Sequence, residues 1–141
     1  MWIVGYKGAV CMVARPFYYK ETHGFRIFVR PAYLPDESDA AMGRFVFAYH
    51  VRIENCSKRP AQLRSRHWYI TDSIGEQYTV VGDGVVGQQP RLHPGDVHEY
   101  RSFCVLKSAQ GTMSGFYTFV NDDDIAFDTV IPLFELTTHP S

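Results

Sequence analysis

The stretch Gly82-Asp83-Gly84-Val85-Val86-Gly87 spells G-x-G-x-x-G, the one phosphate-binding signal in the chain. Where such a run joins a strand to a helix, its glycines let a pyrophosphate approach the backbone, and the helix aims its N–H groups at it. Here the following residues are Gln-Gln-Pro-Arg-Leu-His-Pro-Gly, which cannot open that helix. Two readings stay open. In the first, the glycines supply left-handed backbone to a shaped connection between strands. In the second, N–H groups around Gly82, Asp83, Gly84 and Gly87 form an anion nest without a helix. Arg91 would then add charge-assisted contacts, supported by Arg64 and Arg66.

Other reactive side chains are scattered. Of the histidines, His93 and His98 lie close in sequence but lack the C-x-x-C or H-E-x-x-H companion that a zinc site needs. His50 and His67 could meet on neighbouring strands near Cys104, although polar histidines on strand faces are the plainer reading. Asp122-Asp123-Asp124 lacks the spacing of a calcium loop and reads as a solvated hairpin turn. There is no G-x-S-x-G elbow, no spacing that selects a Ser-His-Asp triad, and no pair of catalytic carboxylates. No catalytic residue, metal ligand or cofactor is therefore assigned.

Alternation of apolar and polar residues describes the elements that would carry these groups. Phe25, Ile27 and Val29 share one face of a strand closed by Pro31. Phe45, Phe47, Tyr49, Val51 and Ile53 share one face of the clearest strand, because a helix would spread these aromatics around its surface. Asp36 to Gly43 reads as a surface loop with at most one helical turn. Ala61 to Asp72 places Arg64, Arg66, Trp68 and Ile70 on one parity, with Trp68 as the core anchor. Asp72 to Gly75 is a hairpin turn, followed by a strand from Glu76 to Val81. Pro94-Gly95 suits the centre of a type II turn before a strand from Val97 to Lys107. Strands from Gly111 to Val120 and Ile125 to Leu136 complete the set, with Pro132 marking an edge strand or a bulge. About seven strands without an amphipathic helix predict an all-β, antiparallel two-sheet sandwich of the immunoglobulin or fibronectin type III kind.

The 141 residues suit one domain, and hydrophobic residues at 45% suffice for its core. A formal net charge of −1 argues against broad nucleic-acid binding. Three cysteines, Cys11, Cys56 and Cys104, do not make a disulfide framework, and a reducing cytoplasm is expected. No run is long enough to span a membrane as a helix. Residues 1–22 are read as an N-terminal extension, flexible or an added strand, ahead of a domain covering 23–141. Their apolar run before Arg15-Pro16 is too short for an export signal.

Taken together, these pieces resemble the ApaG family. The likeness lies in Val29-Arg-Pro-Ala-Tyr33, Gly43 to Tyr49 with Ile53-Glu-Asn55, and Gln62 to Trp68 with Ile70-Thr-Asp72. It continues through Val81 to Pro90 with Leu92 and Pro94-Gly95, then Gly111 to Tyr117 and Ile131 to Phe134. The resemblance implies a fibronectin type III-like sandwich in a cytoplasmic bacterial protein, or in larger eukaryotic proteins such as an F-box protein and a DNA-polymerase-associated protein. It implies a non-enzymatic protein-interaction module, associated in bacteria with cobalt resistance, magnesium efflux and a locus for diadenosine tetraphosphate hydrolysis. The glycine motif has been linked to pyrophosphate in this family. The expected role is thus protein binding, with a phosphate- or nucleotide-binding protein as the alternative.

Overall fold

The computed structural model describes residues 17–139. Its strands are β1 (Tyr18–Thr22), β2 (Phe25–Tyr33), β3 (Phe45–Asn55), β4 (Ala61–Asp72), β5 (Gln77–Asp83), β6 (Arg91–Leu92), β7 (Val97–Leu106), β8 (Gln110–Asn121) and β9 (Ala126–Thr137). Two short 3-10 turns, Pro35–Glu37 and Ala40–Met42, occupy the expected surface loop. One antiparallel sheet runs β1-β2-β3-β7; the other runs β5-β4-β8-β9, with β6 also paired to β4. The predicted all-β sandwich is the fold that forms.

The inner face of β3 carries Phe47, Tyr49, Val51 and Ile53, as the alternation predicts. Trp68, at 2% exposure, is the anchor opposite them. Its indole meets Tyr49, Tyr117 and Phe134 edge-on, at centroid separations of 5.3, 6.4 and 5.9 Å. Edge-to-face contact suits aromatic quadrupoles and adds to the gain from burial.

Several boundaries differ from the sequence reading. Among the described residues nine strands form, because Tyr18–Thr22 joins the first sheet as β1 and the two-residue β6 docks on β4. The rest of the proposed extension, residues 1–16, lies outside the described residues. β2 continues through Pro31, which pairs with Tyr49. Described pairing of β2 with β1 ends at Tyr18–Val29, so Pro31 is paired on one side, a position that tolerates a missing N–H. β5 extends past Val81 to Asp83, so Gly82 is a strand residue opposite Arg66. A bulge between Leu63 and Ser65 breaks the parity of β4. Leu63 points inward before it and Trp68 inward after it, so Arg64 and Arg66 do not share a face. Pro132 satisfies both expectations: it lies on the edge strand β9, where the β8–β9 register shifts.

Candidate functional site

The glycine motif folds as a connection fastened to β4. At the β4 bulge, the Arg64 carbonyl accepts from Gly84 N–H and Gln89 Nε2, both at 2.8 Å. Leu63 N–H donates to the Pro90 carbonyl at 2.9 Å, and Gln62 Nε2 donates to the Gln89 carbonyl at 3.0 Å. Val85, 1% exposed, plugs the loop into the core. Val85 and Gln88 exchange both backbone hydrogen bonds, at 2.8 and 3.0 Å, around a two-residue tip. Positive φ at Val86 (47°) and Gly87 (77°) gives a type I′ turn, and a β-branched residue at its first position is strained.

The three motif glycines answer different needs. A Cβ on Gly82 would stand 2.8 Å from Arg66 Nη2, so the bare backbone makes room for a guanidinium. At Gly84 a Cβ would sit 2.3 Å from the Gln88 carbonyl oxygen, and φ is 64°. Gly87 meets nothing nearby and is required by its backbone angle alone. No helix begins at Val85 or Val86. The amides of Gly84, Val85 and Gln88 already donate to backbone carbonyls, so they are not directed at a common anion.

The arginines do not gather around this loop. Arg91 Nη2 lies 2.6 Å from Asp122 Oδ1. Arg64 is exposed and its Nε donates to Gln62 Oε1 at 2.8 Å. Arg66 turns between the sheets, where its Nη1 donates to the Asp83 and Gly84 carbonyls at 2.9 and 3.0 Å. Asp83 therefore meets Arg66 through its carbonyl. Two carbonyls of the loop thus hold an arginine side chain.

Arg66 enters a groove of about 380 Å3 between the free sides of β5 and β7. Tyr49, Trp68, Ile70, Cys104 and Met113 line it together with Tyr78 and Val80 of β5, and Ser102, Phe103 and Val105 of β7. Phe103 is 56% exposed, Val105 48% and Val80 40%. Among the described residues, Arg66 is the only charged one lining the groove. Burial pushes the Cys104 thiol up to about 11 and raises the Tyr49 hydroxyl. Tyr78 donates to Glu76 Oε1 at 2.7 Å, and this hydrogen bond is the main reason its hydroxyl is raised to about 12. Deeper in, the buried hydroxyls of Tyr100 and Tyr117 bond to each other. Burial holds both far above the ordinary phenol value, so they stay neutral.

Sequence reasoning found Arg66 but missed Tyr78, Ser102, Phe103 and Val105 as its neighbours. The alternation along β7 was legible; that β5 and β7 both end their sheets was not. The histidines are also separated. His50 bonds Glu99 at 3.0 Å in one sheet, whereas His67, in the other sheet, stacks on its cross-strand neighbour Phe116 at 4.7 Å. Among the described residues, no three His, Cys, Asp or Glu side chains gather as a metal site. Asp122 and Asp123 pair with Arg91 and Arg59, and Asn121 Oδ1 accepts from the Asp123 and Ile125 amides to shape their turn.

A family model described as the ApaG domain matches residues 35–121. The chain is 53% identical over 115 residues to Protein ApaG of Anaeromyxobacter dehalogenans strain 2CP-C, covering 82% of this chain and 90% of that protein. It is 48% identical over 114 residues to Protein ApaG of Pseudomonas aeruginosa strain UCBPP-PA14, covering 81% and 90%. The crystal structure of the putative ApaA protein from Bordetella pertussis superposes with a TM-score of 0.79 at 43% identity, over 91% of this chain and 99% of that one.

Proposed function

The chain belongs to the ApaG domain family, and on that footing we propose that it is a non-enzymatic binding domain whose open edge receives a segment of a protein partner. The observation carrying this reading is the groove between β5 and β7, where two strand edges border exposed Phe103, Val105 and Val80. Free backbone edges beside apolar surface are what a protein ligand can cover. The anion-loop alternative has less support, because three of the loop's amides are already committed. No described helix is long and apolar enough to cross a membrane. Under this reading the domain works in the cytoplasm, and any tie to cobalt or magnesium runs through its partner.

Photo-crosslinking side chains placed at positions 80, 103 and 18 test the reading in native extract. One partner joined through positions 80 and 103, but not through 18 on the opposite side, is expected. Capture that ignores position would overturn it. In parallel, pyrophosphate titration should leave the amide signals of Gly82 to Gly87 in place.

A further inference from the structure

We propose that the partner segment is an extended acidic strand, which adds to the free edge of β7 and sets one carboxylate against the Arg66 guanidinium. This rests on the open-edge reading and adds the chemistry of the partner.

The edge itself favours strand addition. Among the described residues β7 pairs only with β3, and that ladder runs without a register shift from Val97 to Leu106. Every second residue of such a strand turns its N–H and C=O away from its one neighbour. Exposed edges are commonly blunted by proline, a bulge or an inward charge. β9 carries Pro132 at a register shift, and β1 is only five residues long. β7 has no proline and no bulge, and its inward His98, Tyr100, Ser102 and Cys104 include no lysine, arginine or carboxylate. A strand laid beside it would pair with the outward backbone and drop alternate side chains into the groove.

Charge selects the occupant. Both hydrogen bonds of the Arg66 guanidinium come from Nη1 and fix its plane; no described protein atom accepts from Nε or Nη2. Gly82, having no side chain, lets the backbone of β5 lie against this guanidinium, where a Cβ would come within 2.8 Å of Nη2. The Nε–Nη2 side of a guanidinium presents two parallel donors, the geometry that a carboxylate takes in bidentate fashion. Arg101, 5.2 Å over the Phe103 ring, adds a second cation beside the groove. A second copy of this chain fits less well. Pairing β7 with β7 would offer the groove His98, Tyr100, Ser102 and Cys104, which include no carboxylate to pair with Arg66.

The test is selection of random nine-residue peptides against the full chain, followed by titration of the enriched sequence by fluorescence anisotropy and amide NMR. Enriched peptides should alternate β-branched or aromatic residues with one fixed Asp or Glu. Their binding should perturb the amides of residues 102–105. Replacing the fixed carboxylate by its amide should weaken binding at least tenfold on the unaltered protein, and Arg66→Gln should do the same. Arg91→Gln should change binding less than twofold. Because Arg66 also holds the loop, the amide-for-acid peptide decides if Arg66→Gln misfolds. Enriched peptides that bind at residues 102–105 regardless of the carboxylate would overturn the acidic recognition while leaving the open edge standing. Perturbation confined to Tyr69, Phe116 and Val130, or no enrichment at all, would overturn strand addition. Self-association that protects residues 102–105 without peptide would reassign the edge to a second copy.

Discussion

Along β9 the two sheets are sewn together, whereas along β5 and β7 they stand apart. On the β9 side Phe25 and Phe119 meet at 4.6 Å, Phe119 and Phe127 stack at 5.9 Å, and Tyr18 lies 6.1 Å from Phe134. The Val130 amide also donates to the Thr22 hydroxyl at 3.1 Å, joining one sheet to the other. On the opposite side the same kind of alternating strand leaves Phe103 and Val105 in water and admits a lone guanidinium. Aromatic side chains thus serve two ends: packed against each other they hold the sandwich, and left unpacked they mark where it can take a ligand.

The sharpest way to break this contrast is to truncate one ring on each side. Phe25→Ala should cost about 3–5 kcal/mol in urea denaturation, since it opens a cavity among closely packed rings. Phe103→Ala should cost less than about 1 kcal/mol, because little of its surface is buried by folding. Similar losses at both positions would mean that the open side is part of the stabilising core.

The loop that holds Arg66 offers a second, smaller test. Gly84→Ala should destabilise by about 2 kcal/mol or more, combining positive φ with a collision against the Gln88 carbonyl. Gly87→Ala, with only the backbone penalty, should cost about 1 kcal/mol. Val86→Asn should stabilise by about 1 kcal/mol, because asparagine tolerates the left-handed turn that a β-branched side chain resists. Thermal melts of the three variants would order them directly.

Cysteine chemistry distinguishes groove floor from surface without altering the fold. Cys104 is buried with its thiol pushed up to about 11, whereas Cys56 is exposed. Maleimide at neutral pH should modify Cys104 at least tenfold more slowly than Cys56, as followed by peptide mass mapping, because the thiolate is the reactive form. Equal rates would show that the groove opens to its floor in solution.

The smallest expected effect is at His98 on β7, whose imidazole burial holds below its ordinary value while Glu99 pulls the other way. The folded chain therefore binds that proton less readily than the unfolded chain. Its contribution to stability is complete above about pH 6.5 and is lost as pH falls from there towards the lowered folded value. His98→Gln should flatten the dependence of the urea midpoint between about pH 7.5 and 5.5 by a small but measurable amount.

Period-two alternation was enough to place the strands from Phe25, Phe45, Val97 and Gly111, because one buried face imposes that pattern locally. Pro90 and Pro94, which follow too soon, were enough to deny the glycine motif a helix. The separation of Arg64 from Arg66 and Trp68, with which it had shared one parity, depended on a single bulged residue in β4, which reverses facing without leaving a periodic trace. Residue order along one strand cannot say which strands end a sheet. That is decided by pairing across long separations in the chain, and only there did Tyr78, Phe103 and Arg66 become neighbours around one groove.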